Sequence, residues 1–321
     1  MKAQPSLTVI VPATDRPPTL RACRAAIEPS LEEGDELIVV TDEDRPGPAA
    51  ARNAGAARAR GGILVFVDAD VVVAPDALPR VRSAFAEDAE LGALFGSYDE
   101  EPADPGRVSR FRNLLHHHVH SGSAGPASTF WAGLGAIRRA TFARHDGFDA
   151  ERYPEPAVED IELGMRLAAA GVPIRLDPAV RGTHLKRWSL GSMLRTDLLR
   201  RGIPWVELLA ERRGSAGPRA LPLNLAAPNL LSAVSAGVLL AAVLVGRTRA
   251  ALIALAILAA LNRRLYALLL RRDGLVGLLA GLPLHVAHLL AAAASVPPGV
   301  LRGLRRRRSA IPVALASERA R

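Results

Sequence analysis

Hydrophobic and polar positions divide the chain into two unlike parts. Up to Gly217, short apolar runs alternate with charged, Ala-rich or Pro-marked stretches; from Leu221 onward Leu, Ala, Val and Gly dominate and the charges gather into clusters. In the first part Leu7 to Pro12, Glu36 to Val40 and Gly61 to Asp70 carry apolar runs rich in β-branched residues, so each reads as a buried strand. Pro18 to Ile27, with proline near its start, and the Ala-rich stretch from Pro48 to Gly55 read as helices. Strand, helix, strand, helix, strand predicts an α/β half on a mostly parallel sheet. Beyond it, Asp76 to Ala86 and Val108 to His120 have helical character, Leu91 to Gly96 reads as a further strand, and Ile174 to Thr183 is strand-like.

The second part has the pattern of a membrane segment. Between Leu190 and Arg213, Met193, Leu194, Leu198, Leu199, Trp205 and Leu208 are interleaved with arginines, which suits a helix lying at a membrane surface. Ala227 to Val245 is long enough to span, Ala250 to Leu261 is marginal, and Leu275 to Val296 is long enough although Pro283 interrupts it. The expected organisation is a soluble domain over residues 1–215, amphipathic over 190–213, and a membrane domain over 216–321 with two or three hydrophobic helices and an Arg-rich tail. Three full spans would carry the Arg302 to Arg308 cluster outside, against the positive-inside rule, so two true spans are expected. Leu7 to Val11 is too short for the apolar core of a signal peptide, so the first domain is expected in the cytoplasm of a multi-pass protein of the cell membrane.

Charge changes this picture little. The 321 residues carry a net charge of +9, yet lysine occurs only at Lys2 and Lys186 and no aromatic-interleaved basic groove is present, so nucleic acid is not an expected partner. The arginine excess fits compositional bias together with attraction to anionic membrane lipids. A single cysteine, Cys23, excludes an internal disulfide and disfavours a cysteine-ligated zinc site.

Candidate chemistry begins at Asp68 and Asp70, two apart where the Gly61 to Asp70 strand ends. Side chains at i and i+2 of an extended chain point the same way, and two carboxylates held that close are best explained by a divalent cation and its phosphate oxygens between them. The competing role is capping of the next helix. A second acidic cluster, Asp42 to Asp44, follows the Glu36 to Val40 strand, at the edge where open α/β sheets bind ligands. Asp160 opens a helix running to about Ala170, where the helix dipole favours an ionised carboxylate; it is a candidate base or an N-cap.

In their order along the chain, Val9-Ile10-Val11-Pro12, Ile38-Val39-Val40-Thr41-Asp42, Ala51-Arg52-Asn53-Ala54-Gly55, Phe66-Val67-Asp68-Ala69-Asp70, Gly147-Phe148-Asp149 and Val158-Glu159-Asp160-Ile161-Glu162-Leu163 resemble the family 2 glycosyltransferases of GT-A fold, over about Leu7 to Trp205. The resemblance implies an α/β GT-A nucleotide-sugar-binding sandwich, a UDP- or GDP-linked donor, Mg²⁺ or Mn²⁺ at Asp68 and Asp70, and inversion at the anomeric carbon. It implies base and ribose contacts at Asp42 and Asp44, nucleotide-sugar contacts around Pro12, Thr14, Arg52, Asn53 and Asp68, and His184 beside the metal or diphosphate. Thr129-Phe130-Trp131-Ala132-Gly133 and His184-Leu185-Lys186-Arg187-Trp188 look closest to a membrane-tailed subgroup.

The residues themselves agree with that chemistry. Transfer in one displacement needs a carboxylate to take a hydroxyl proton and positive charge on the leaving diphosphate. Asp160 fits the first role, with Glu159 either orienting the acceptor or facing solvent. Lys186 and Arg187 fit a positive rim for the nucleotide, and Arg52 either reaches phosphate or lies on a solvated helix face. Trp131 with Gly133 shapes an acceptor side, or Trp131 is a core residue. The His116, His117, His118 and His120 cluster lacks a recognisable third metal ligand and reads as exposed or acceptor-facing. The expected acceptor is lipid-linked or membrane-proximal. A nucleotidyltransferase would want a Gly-rich loop after the first strand, and Ala13 to Pro17 contains no glycine; an inactive nucleotide-binding scaffold would not need Asp68, Asp70 and Asp160 together.

Overall fold

A computed structural model describes residues 4–41, 47–212 and 227–318. The chain divides into two compact units, Met1–Arg187 and Trp188–Arg321. The segment over 190–213 therefore groups with the C-terminal unit.

The first unit is built on strands β1 (Leu7–Pro12), β2 (Glu36–Val40), β3 (Ile63–Val67), β4 (Val71–Val73), β5 (Ala93–Tyr98), β6 (Gly125–Pro126), β7 (Leu134–Arg138) and β8 (Ile174–His184). They form one sheet in the order β2-β1-β3-β7-β5-β8-β4, with β6 on β8. Every residue of β3 and of β5 is buried, which requires cover on both faces. That cover comes from α1 (Leu20–Ile27), α2 (Gly47–Arg58), α3 (Ala77–Glu87), α4 (Arg107–Ser121), α5 (Arg139–Arg144) and α6 (Glu159–Ala169).

The sheet is mixed, which corrects the expectation of a mostly parallel one. β1 pairs parallel with β2 and β3, and β5 with β8, but β7 runs antiparallel between β3 and β5, and β4 and β6 run antiparallel to β8. Only the first half follows the strand–helix–strand rhythm that forces parallel pairing. β7 arrives by a long excursion through α4 and enters from the opposite edge. Its register sets Phe66 opposite Gly135, and a Cβ at Gly135 would overlap the Trp131 carbonyl and the Phe130 ring.

The second unit contains α7 (Leu190–Arg195), a π-helical turn (Thr196–Gly202), α8 (Ile203–Glu211), α9 (Ala227–Leu244), α10 (Thr248–Leu261), α11 (Arg263–Ala294) and α12 (Val296–Glu318). The expected single amphipathic helix is thus broken into three pieces, started by a Ser189–Ser192 capping box and burying Met193, Ile203 and Leu208 within the unit. Among the described residues one helical stretch, Arg263–Arg307, is long and apolar enough to cross a membrane, while Pro228–Leu244 and Thr248–Leu261 are apolar but shorter. Pro283 does not interrupt α11. The non-helical residue is Gly274, at φ 65°, a conformation glycine adopts without penalty, whereas Pro283 sits inside the helix.

One buried ion pair anchors the edge of the first unit. Arg82, 3 % exposed, donates to Asp35 at 2.6 and 3.2 Å and to the Pro5 carbonyl at 2.9 Å, while Asp35 also accepts from the backbone of Leu7 and Glu32. Burial alone would raise the Asp35 carboxyl, but the Arg82 and backbone hydrogen bonds outweigh it and hold the group below its ordinary value. The stabilisation is therefore fully present above the unfolded value of about 3.9 and is lost as pH falls from there through the lower folded value. Arg82→Ala should cost about 3–5 kcal/mol in urea denaturation at pH 7 by stranding that carboxylate, and the deficit should shrink below pH 4. A deficit independent of pH would remove the pair as its source.

Candidate active site

Parallel pairing brings the carboxyl ends of β1, β2 and β3 to one edge. Ala13 donates to the Val40 carbonyl at 2.8 Å, so Pro12 and Thr14, both half-buried, sit beside the end of β2. Asp42 and Asp44 lie outside the described residues.

Asp68 and Asp70 follow β3, and their environments differ. Asp68 Oδ1 accepts from Arg52 Nη2 at 2.7 Å, and the same guanidinium donates through Nη1 to Glu159 Oε1 at 3.0 Å. Arg52 is 4 % exposed. It does not lie on a solvated face; its α2 position turns inward and ties the end of β3 to the start of α6. Glu159 likewise does not face solvent, and its Oε2 accepts from the Ala157 backbone at 2.9 Å. Burial lowers the affinity of Arg52 for its proton, but the charges of Asp68, Glu159 and Asp160 more than reverse this and keep it ionised.

For Asp68, burial raises the carboxyl and the neighbouring charge of Asp70 adds to it, against the opposing pull of Arg52. For Asp70, burial is outweighed by the hydrogen bond and charge of His184 and by the charge of Lys186, so its carboxyl lies below the ordinary value. His184 ends β8, where β4 pairs with it through Val71, and its Nε2 stands 3.4 Å from Asp70 Oδ2. Lys186 and Arg187 are exposed just beyond.

Asp70 and His184 supply an oxygen and a nitrogen to one point. No group of three or more His, Cys, Asp or Glu able to hold a metal ion occurs among the described residues. Two such ligands still fit Mg²⁺ or Mn²⁺, which take one or two side chains and complete their shell with substrate phosphates and water.

The Trp131-Ala132-Gly133 segment closes the arrangement. The Gly133 carbonyl accepts from Asp68 N at 3.1 Å, and Ala132 N donates to Asp160 Oδ2 at 3.1 Å, so one stretch of backbone holds the Asp160 carboxylate and the backbone of Asp68. Asp160, half-buried in the first turn of α6, also accepts from Ile161 N through Oδ1 at 2.8 Å. Gly164 allows α6 this close; a Cβ there would overlap the backbone of Thr129 and Phe130. At Gly133 a Cβ would collide with the Trp131 indole.

Trp131 is 9 % exposed and packs against Tyr98, His116 and His120 at ring separations of 4.9, 4.6 and 5.2 Å. The histidine cluster is neither a metal site nor simply exposed. His117 and His120 bind the Tyr98 and Gly96 carbonyls, each at 2.9 Å, pinning α4 to β5. Asn53 has a structural engagement as well: its amide exchanges two hydrogen bonds with the Phe148 backbone, at 2.7 and 3.0 Å. Sequence reasoning missed Tyr98 and Asn113, which contact His184; Asn113 stands one turn from Ser109 and Arg110 on one side and from His116 and His117 on the other, and nothing local distinguishes it.

Residues 22–145 match the model described as glycosyl transferase family 2. Among solved structures, a mannosyltransferase from Pyrobaculum calidifontis in complex with GDP-Man and Mn²⁺ is 21 % identical, with 92 % of this chain and 88 % of that one covered and a TM-score of 0.51. Glucosyl-3-phosphoglycerate synthase from Mycobacterium tuberculosis, with Mn²⁺, UDP-glucose and phosphoglyceric acid, is 16 % identical over 64 % of this chain and 78 % of that one, at 0.40. GalNAc-T7 with UDP, GalNAc and Mn²⁺ is 15 % identical over 69 % and 52 %, at 0.39. No curated protein sequence matches the chain. The mannosyltransferase shares the fold of this chain.

Arg52 should be the stability hinge of the site. Arg52→Met should destabilise the protein by about 3–5 kcal/mol, because Asp68 and Glu159 are left facing each other without a cation. Adding Glu159→Gln should recover part of the loss, measured as the shift of the denaturation midpoint. An Arg52→Met variant as stable as the parent would contradict the geometry.

Proposed function

From the match of residues 22–145 to the glycosyl transferase family 2 model, we propose that the protein moves a sugar from a UDP- or GDP-linked donor to a lipid-linked or membrane-proximal acceptor, with inversion and with a divalent cation. The observation that carries this reading is the shared backbone of Ala132 and Gly133, which sets the Asp160 carboxylate and the Asp68 to Asp70 turn at one site. The Pyrobaculum calidifontis mannosyltransferase, bound to GDP-Man and Mn²⁺ in its structure, supports the donor class and the cation.

In this reading Asp70 and His184 hold Mg²⁺ or Mn²⁺. When bound, the cation neutralises charge on the departing diphosphate. Asp68, kept by Arg52, adds negative potential beside it, and Lys186 and Arg187 form the positive rim on the nucleotide side, with Pro12 and Thr14 lining the base of the pocket. Asp160 is the general base. The acceptor oxygen forms its bond to the anomeric carbon as the bond from that carbon to the diphosphate oxygen breaks, and the hydroxyl proton passes to an Asp160 oxygen. Two backbone N–H donors and the first turn of α6 favour the ionised form that accepts it. Glu159, with both oxygens engaged, positions Arg52. Trp131 and Gly133 bound the acceptor side.

The membrane setting rests on Arg263–Arg307 and on the outward Leu, Ile and Val side chains of the second unit, among them Leu231, Val234, Ile253, Leu275 and Leu279. Apolar side chains exposed in such number are costly in water. On expression in cells the full chain should stay with the membrane fraction through alkaline carbonate extraction, and release into the supernatant would reject the anchor.

With the donor identified by a screen of UDP- and GDP-sugars for Mn²⁺-dependent binding, Asp160→Asn should lower turnover by about 10²–10⁴-fold while donor affinity changes little. Asp70→Ala should abolish Mn²⁺-dependent donor binding in a folded protein. Near-normal turnover in Asp160→Asn would discard Asp160 as the base; a large loss of donor binding would move it to the nucleotide side.

A further inference from the structure

Resting on the reading of Asp70 and His184 as the cation's ligands, we propose that Asn113 is the positioning residue that holds the proton of the neutral His184 ring on Nδ1 and leaves Nε2 open toward the cation. Asn113 lies on α4, is 2 % exposed, and touches His184 twice. Its Oδ1 is 2.9 Å from His184 Nδ1, and its Nδ2 donates to the His184 carbonyl at 3.4 Å.

These two contacts determine the proton. A backbone carbonyl only accepts, so the Asn113 amide nitrogen must face it, and the amide oxygen must then face the ring. An amide oxygen also only accepts, so Nδ1 carries the hydrogen. A neutral imidazole has one N–H, which leaves the lone pair on Nε2, 3.4 Å from Asp70 Oδ2 and on the side where the cation binds. A lone pair is what metal ligation requires, and fixing the ligand tautomer from behind is the role such partners play at metal sites.

The ring plane is held independently. Tyr98 stacks on His184 with centroids 4.3 Å apart and planes 8° from parallel, and Leu185 N donates to the Asp70 carbonyl at 2.8 Å, fixing the backbone on either side. Stacking sets the plane and leaves the choice of tautomer open. Without Asn113, the neutral ring gains most by donating from Nε2 to the Asp70 carboxylate, and its lone pair then points away from the cation. The proton and the cation compete for one nitrogen, and Asn113 draws the proton to the other.

The test reads the tautomer directly. In the full chain with ring-¹⁵N-labelled histidine, eight histidines contribute, and the His184 signals are those missing from His184→Gln. In metal-free protein, at a pH where the ring is neutral, the parent should show a protonated Nδ1 and an unprotonated Nε2. Asn113→Leu should move the proton to Nε2 and weaken Mn²⁺ binding about 10–100-fold, while Asn113→Asp, whose carboxylate still accepts from Nδ1, should keep the parental tautomer and most of the affinity. A parent with its proton on Nε2, or an Asn113→Leu variant that keeps Nδ1–H, would overturn the proposal. The parental measurement decides even if Asn113→Leu does not fold. The expected tautomer pattern without any Mn²⁺ effect on the His184 signals would support the tautomer assignment and reject the cation reading alone.

Discussion

A guanidinium with almost no access to water must meet its charge inside the protein, and Arg52 does so by gripping Asp68 with one nitrogen and Glu159 with the other. Removing such a group from water costs several kcal/mol, and only a geometry that engages both carboxylates offsets it. A lysine, with a single point charge, would not span them. The Arg52 guanidinium also lies 5.5 Å above the Phe148 ring, and the Gly147-Phe148 turn is clamped to α2 by Asn53. One side chain therefore sets the separation between the end of β3 and the start of α6, the two places from which the proposed chemistry is drawn.

This constraint divides the work between the two aspartates. Asp68 is committed to Arg52, and its backbone N–H to Gly133, so it orders the turn. Asp70 is left facing His184 and Lys186, groups that favour its ionised form. Two carboxylates in similar surroundings would share protons and compete for one cation; here their surroundings push them apart, so the affinity for positive charge collects at Asp70. The Ala132 N–H and the Gly133 carbonyl point to opposite sides of one strand entrance, which is why a single segment can hold Asp160 and Asp68 together. Gly164 permits that closeness, because any side chain there would push α6 off the Thr129 and Phe130 backbone, and Gly135 leaves room for the Trp131 carbonyl and the Phe130 ring.

What could be read from the sequence was local. β1 and β2 have the expected limits and α6 starts one residue before Asp160, but β3 stops at Val67: Val71 N donates to the Asp68 carbonyl, so Asp68 and Asp70 lie in a turn and not on an extended strand running to Asp70. What could not be read depended on distant pairing. Leu134–Arg138 has too short a pattern to declare itself a strand, and its antiparallel place between β3 and β5 is what makes the sheet mixed. An arginine on an Ala-rich helix looks the same whether it meets water or a glutamate 107 residues away. Asn113 and Tyr98 were illegible for the same reason: each matters only because β8 ends beside it. In the second unit, hydropathy marked apolar stretches correctly but located the break at Pro283, where a helix merely forgoes one hydrogen bond, instead of at Gly274, where the backbone leaves helical space.

The same geometry bears on why Asp160 and not Glu159 is the proposed base, although the two are adjacent and both acidic. Glu159 is buried, one oxygen held by Arg52 and the other by Ala157 N, and protonating it would strip Arg52 of half its compensation. The cost of that proton would be felt in the fold. Asp160 accepts a backbone N–H at each oxygen, from Ala132 and Ile161, and sits half-buried in the same first turn of α6. Such donors make it a weak base, which is no handicap when a cation helps expel the diphosphate: the acceptor hydroxyl becomes acidic only as its bond to carbon forms, and a weak, well-placed carboxylate then suffices to receive the proton. The neighbouring carboxylates thus differ by partner and not by type, and the partner that separates them is Arg52.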